Sequence, residues 1–206
     1  LAKSNAAKAL SDLALFNSTN KVAIARGGAI PPLVDLLTEG TTAESLVNAA
    51  GALWNLSAKN THNKVAVVDA GAIAPLVALL ASSSEKTQPS PLLDNVVGVL
   101  LNLSSHNAGY KAAIAEAGAV TPLATLLTAR RRHINARISA ARVLRNLATD
   151  HPDNRAAILR HGDAIVALYR LRKSGPTTDA RAAGDDALRA LANPALPAAS
   201  KNCPMQ

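Results

Sequence analysis

Five histidines and one cysteine are the residues of this chain best suited to metal ligation, proton transfer or nucleophilic attack near neutral pH. Their spacing argues against all three. No H-E-x-x-H or H-x-x-x-H pair sets two imidazoles one helical turn apart, and DHPDNR (150–155) places His151 between Asp150 and Asp153 without a third ligand type. His62, His106 and His151 are expected in loops between repeating units, His133 follows three arginines, and His161 precedes a glycine expected to end a helix. Each is read as structural or solvated. There is no G-x-S-x-G turn to expose a serine, and RGGA (26–29) lacks the spacing and the Lys-Ser/Thr of a phosphate-binding loop. Cys203 is alone, so it can form neither an internal disulfide nor a cysteine cluster. A lone thiol fits a reducing compartment, cytoplasmic or nuclear, with an organelle left open. The expectation is a non-enzyme that needs no cofactor and no metal.

What remains is recognition chemistry, carried by amides and guanidinium groups at regular intervals. Asn55, Asn102 and Asn146 sit in LWNLS, LLNLS and LRNLA, 47 and 44 residues apart. Gly28, Gly71, Gly118 and Gly162 stand 43, 47 and 44 apart in RGGAIPPLVDLL, DAGAIAPLVALL, EAGAVTPLATLL and, more loosely, RHGDAIVALYRL. Seven residues before each glycine is a base: Lys21, Lys64, Lys111 or Arg155. Two independent markers with one period define a repeat. The longer interval comes from ASSSEKTQPSP (81–91), a surface loop by its Ser and Pro content.

Each unit must supply elements that hold these residues in place. NKVAVVDAG predicts a short helix whose closing glycine suits a left-handed terminal conformation. Pro32, Pro75 and Pro122, four residues beyond their glycines, belong in the first turn of a second helix, where a missing N–H costs nothing. In LVNAAGALWNLS, Ala49, Ala52, Leu53 and Leu56 recur at three- and four-residue spacing, which predicts a third, longer helix with a buried stripe. Such a unit cannot bury its apolar face alone, so neighbours must stack into a curved solenoid.

Composition agrees with that class. Of 206 residues 49% are hydrophobic but only 2% aromatic, so the core is aliphatic, and its Ala and Leu favour helix. No apolar run approaches the roughly 18 to 20 residues that cross a bilayer. The net charge of +8 is unevenly placed: residues 1–128 hold eight basic and eight acidic side chains, residues 129–206 fourteen and six. That asymmetry suits an acidic partner, a phosphate backbone or an anionic surface, and equally an arginine-rich solvated face.

The period, the three helices and the pattern N-[KR]-x-A-[IV]-x-x-x-G-[AG]-[IV]-x-P-L-V-x-L-L followed by A-L-x-N-L-S resemble the armadillo repeat. The likeness covers about residues 1–193. NKVAIARGGAIPPLVDLL and ALWNLS are similar to the armadillo region of plant U-box proteins and of tandem-armadillo proteins in protists and algae. No U-box is present, so ligase activity does not carry over. The resemblance implies an all-α, right-handed superhelix. Residues 1–17 would be the third helix of a partial repeat or a cap. Full repeats would follow at 19–60, 61–105 and 106–150, then a divergent C-terminal repeat at 151–193 and a flexible tail at 194–206. The chain begins with Leu and shows no signal-peptide pattern, and a longer parent protein is expected.

The resemblance also implies a role for the asparagines. In import adaptors and catenins such amides hold a partner's extended main chain along the concave wall, donating to C=O and accepting from N–H. Asn55, Asn102 and Asn146 are expected to do so here, with their use as links between repeats as the alternative. Their replacement by Ala is then expected to remove a peptide with little change in stability. The adaptors carry a Trp one turn before each Asn; Gly51, Gly98 and Arg142 stand there instead, so recognition of a basic signal is not implied. Arg137, Arg142 and Arg145, with RRRH (130–133) ahead of them, favour an acidic partner. Trp54 is a candidate anchor for an apolar side chain and, as readily, a packing residue. The function read from the residues is a scaffold binding an extended acidic segment. A structural subunit of a larger assembly and nucleic-acid binding by the basic half are the alternatives; few aromatics are present to stack on bases.

Overall fold

The computed structural model describes residues 2–38, 42–84, 91–106, 108–128 and 134–192, and these are built from thirteen helices. A single helix α1 (Ala2–Ala14) precedes four sets of three. The sets are α2 (Ser18–Arg26), α3 (Ile30–Thr38) and α4 (Ala43–Ser57); α5 (Thr61–Asp69), α6 (Ile73–Ser84) and α7 (Pro91–Ser104); α8 (Ala108–Glu116), α9 (Val120–Thr128) and α10 (Ile134–Ala148); and α11 (Pro152–Arg160), α12 (Gly162–Ser174) and α13 (Thr178–Ala192). The tail from residue 194 with Cys203, the RRRH run with His133, and residues 85–90 of the insertion lie outside the described residues.

Long helices stack on long helices, so that α1, α4, α7, α10 and α13 form one layer. Helices α3, α6, α9 and α12 form a second layer packed behind it. The core lies between the two. Ala49, Ala52, Leu53 and Leu56 are fully buried, as are Leu100 and Leu103 on α7 and Leu144 and Leu147 on α10. Because Ala and Gly are frequent on the long helices, adjacent units approach closely enough to bury these leucines without aromatic filling.

The glycine beat closes the short helices. Gly28, Gly71 and Gly118 have φ of 76°, 78° and 84°, and the residue after each donates its N–H back to Ile24, Val67 or Ile114. This is the paired-bond ending that a left-handed glycine permits. Gly162 departs from the expectation. Helix α11 stops at Arg160 and Gly162 is already the first residue of α12, with His161 as the only link. It has no positive φ, because it already lies within the helical conformation of α12 and does not close α11. Pro32, Pro75 and Pro122 each occupy the third position of their helices, inside the first turn.

The bases before the glycines tie each short helix to the end of the next long one. Lys21 Nζ donates to the carbonyl of Ala58 (2.8 Å), Lys64 Nζ to Ser105 Oγ (3.1 Å) and Lys111 Nζ to the carbonyl of Thr149 (2.8 Å). Lys21 and Ala58 thereby place a cation at a helix C-terminus, where it opposes the macrodipole. Burial pushes the Lys21 and Lys64 ammonium groups below the ordinary lysine range, with neighbouring Lys59 adding to the effect at Lys21.

Candidate functional site

The long-helix layer has one face against the second layer and one face open. Helical geometry decides which side chains reach the open face. Asn48 and Asn55 on α4 are seven residues apart, close to two full turns, and Asn95 and Asn102 repeat that spacing on α7. Two amide rows therefore run along the layer, of which Asn55, Asn102 and Asn146 are one. The Asn48 and Asn95 row was not singled out in the sequence, although its interval of 47 residues equals that of Asn55 and Asn102.

Each amide reaches the preceding long helix. Asn48 Nδ2 donates to Ser4 Oγ (3.0 Å) and its carbonyl (3.3 Å), and Asn55 Nδ2 to the Oγ and carbonyl of Ser11 (both 3.0 Å). Asn95 Nδ2 donates to the carbonyl of Val47 (2.9 Å), and Asn102 Nδ2 to that of Trp54 (3.1 Å) and to Ser57 Oγ (3.0 Å). A carbonyl can only accept, so the nitrogen must face the neighbouring helix and the oxygen must point away. The two-handed grip expected of these amides is thus reduced to one. Asn48, Asn55 and Asn102 have both N–H groups engaged, and what they offer a ligand is an acceptor.

Asn146 is closed on both sides. Its Nδ2 donates to Ser104 Oγ (3.1 Å), its Oδ1 accepts from Arg145, and the residue is 8% exposed. The alternative considered above, links between repeats, describes its contacts fully. Asn55 and Asn102 make those links and keep partial exposure.

Trp54 is 40% exposed and lies across Gly98 of the next unit, where an added Cβ would stand 2.6 Å from the indole Cε2. Gly98 is therefore the seat of Trp54. Beside it a cleft of about 240 Å³ opens on this face, lined by Asp12, Asn48, Gly51, Trp54, Asn55 and Asn95. A larger apolar cleft, about 360 Å³, lies apart from the amide rows against α1 and α3, lined by Leu10, Pro32 and Leu36 among others.

The three arginines separate. Arg142 and Arg145 stand near Asn146 on the open side, paired with carboxylates of α13: Arg142 with Asp179 at 2.5 Å and Arg145 with Asp186 at 3.8 Å. Arg137 does not join them. It precedes Asn146 by nine residues, half a turn out of phase, and its Nε donates to the carbonyl of Leu127 (3.0 Å) in the last turn of α9. That bond satisfies a terminal carbonyl, and burial lowers the pKa of the guanidinium.

The histidines also find places. His151 caps α11, its Nδ1 accepting from the N–H of Asn154 (3.4 Å), and His106 packs its ring 5.2 Å from that of Tyr110. A further set of amides binds the short helices together: Asn63 Nδ2 donates to the carbonyls of Leu56 and Lys21, and Asn154 Nδ2 to that of Lys111.

Comparison with known proteins agrees with this geometry. The Armadillo/beta-catenin-like repeat profile matches residues 17–58 and 60–88. An engineered protein of known crystal structure is 30% identical with a TM-score of 0.80, over 92% of this chain and 72% of that one. Computationally designed armadillo repeat proteins for modular peptide recognition include one that is 26% identical with a TM-score of 0.79, over 90% and 74% of the two chains. ARO, an armadillo repeats only protein from Plasmodium falciparum, shares the fold at 20% identity and a TM-score of 0.76, over 91% and 79%. No curated protein matches the sequence. The chain belongs to the armadillo-repeat family, as a right-handed helical solenoid. Among the described residues no single helix is long and apolar enough to cross a membrane.

Proposed function

We propose that the chain is a non-catalytic scaffold whose open, concave face holds an extended segment of a partner protein. The observation that carries this reading is the double row of partly exposed amides beside the Trp54 cleft. Successive packed helices lie about 8 to 10 Å apart, and an extended chain advances about 3.3 Å per residue. A partner crossing from α4 to α7 would meet amide oxygens two or three residues apart. Oxygens that accept from main-chain N–H groups hold a strand without reading its side chains. The likeness to a protein designed for modular peptide recognition supports the same role.

The finer part of the proposal is an acidic preference, confined to the stretch around Arg142 and Arg145. Each guanidinium carries five N–H donors, and both side chains are about 40% exposed. Unpaired N–H groups can therefore receive carboxylates.

The test is selection of binders from a random-peptide library, followed by cross-link mapping. Cross-links on α4 and α7 at the amide rows are the expected result, with affinity lost when the peptide's main-chain nitrogens are methylated. Binders that map to α3, α6 and α9, or that tolerate methylation throughout, would remove the proposal. Substituting Arg142→Glu with Arg145→Glu should weaken acidic binders and spare neutral ones; acidic binders that persist unchanged would remove the acidic preference alone.

A further inference from the structure

The last long helix bears on what the open face accepts. Asp186 lies 44 residues after Arg142, in the same register row as Gly51 and Gly98, and Asp179 precedes it by seven residues on the same side of α13. These are the carboxylates that meet Arg142 and Arg145. All four side chains are between 39% and 56% exposed, so the pairs lie at the surface where a partner would lie and not beneath it. The positive excess of the C-terminal half therefore does not reach this part of the face, where two guanidinium groups are balanced by two aspartates.

We infer that Asp179 and Asp186 are specificity-determining residues: built-in counter-ions that occupy Arg142 and Arg145 and must be displaced or shared by an acidic partner segment. The inference rests on the reading that a partner lies along this face. A second carboxylate brought to an already paired guanidinium meets repulsion from the first, which lowers the affinity for acidic segments. A neutral segment held through its main chain meets no such competitor. The face then favours acidic partners only weakly, and the two aspartates set how weakly.

A labelled oligoglutamate peptide is the probe, titrated at low salt against the whole chain and read by fluorescence anisotropy. Asp179→Asn with Asp186→Asn should tighten binding about tenfold, from exposed pairs that individually contribute a few-fold. The same two aspartate substitutions made in an Arg142→Gln, Arg145→Gln background should give no gain over that background. An unchanged affinity in the aspartate variant overturns the inference, and so does a gain that survives loss of the arginines, because bulk charge alone would then explain it. The single variant Asp186→Asn, whose pair is longer at 3.8 Å, provides the same cycle with about a threefold gain should the double variant disturb α13. Cross-linking separates the two readings. Oligoglutamate bound at α10 without the gain sinks only the counter-ion role, whereas oligoglutamate bound on another layer sinks the face itself.

Discussion

At Gly98 the missing side chain is what lets two repeats share a tryptophan. An alanine there would place its Cβ 2.6 Å from Cε2 and 2.7 Å from Nε1 of Trp54, so the indole must swing outward. Alanine also raises helix propensity by about 1 kcal/mol, against an overpacking cost of about 1–3 kcal/mol. The two largely offset, and stability alone is a poor readout. Because Trp54 is the only tryptophan, its emission is a better one: Gly98→Ala should shift it to the red, and an unmoved spectrum would show that the ring does not rest on Gly98. Asn102→Ala is the opposite case. It deletes two bonds to the preceding helix at about 1 kcal/mol each, so the urea midpoint should fall by the equivalent of about 2 kcal/mol. A variant as stable as the parent would mean that these links contribute nothing, as first expected from the peptide-holding role alone. The site was partly legible at this scale. The period located Asn55, Asn102 and Asn146, yet which amide atom faces solvent depends on Ser11, Trp54 and Ser57 of the preceding helix, and no repeat pattern encodes that. Arg137 is different: its nine-residue offset from Asn146 already placed it on the wrong side.

Between elements, the glycines show how similar spacing can carry two conformations. Gly118 ends α8 at φ 84°, whereas Gly162 opens α12 without a positive φ. Gly118→Ala should therefore cost about 1–2 kcal/mol for a left-handed alanine, and Gly162→Ala should be neutral or slightly stabilising. Thermal unfolding of the pair checks this; equal losses would contradict the assigned conformations. The fold was largely legible because helix ends and buried leucines recur in every unit, and first-turn prolines in three of the four. Gly162 was misjudged because the period, correct for spacing, was extended to a unit in which His161 alone links the two helices and leaves no turn for a left-handed glycine to close. The lysine ties add a pH effect with a definite sign. Lys21 and Lys64 have folded pKa values below 10.5, so the native state binds fewer protons than the unfolded chain between the depressed values and 10.5. The penalty for holding these ammonium groups is fully present at neutral pH and is relieved as pH rises through that window. Relative to Lys21→Gln with Lys64→Gln, the parent should gain stability as pH rises through the depressed lysine values toward 10.5. A gap that stays constant or narrows in the parent's disfavour would reverse the assigned shifts.

Over the whole molecule, stability is a sum of unit terms and neighbour terms, since each long helix touches only the next and the last. Helix α7 packs against α4 and α10 on its sides and α6 behind, while α1 packs mainly against α4 and, at its end, α2. The exposures follow: Leu100 and Leu103 of α7 are fully buried, but Leu13 of α1 is 55% exposed and the adjacent Phe16 is 96% exposed. Opening α1 thus uncovers little apolar surface, whereas opening α7 breaks two interfaces at once. At the far end α13 has one long-helix neighbour, supplemented by Arg172–Asp185 at 3.7 Å and by the pairs to α10; surface pairs of this kind contribute at most about 1 kcal/mol each. Native-state hydrogen exchange should therefore rank the long helices, with α1 exchanging first, α13 next, and α4, α7 and α10 last. Leu100→Ala, which empties a fully buried site in α7, should cost about 2–5 kcal/mol and speed exchange in α4 and α10 together. Uniform protection from α1 to α13, or an effect of Leu100→Ala confined to α7, would mean that the units do not support one another through nearest neighbours.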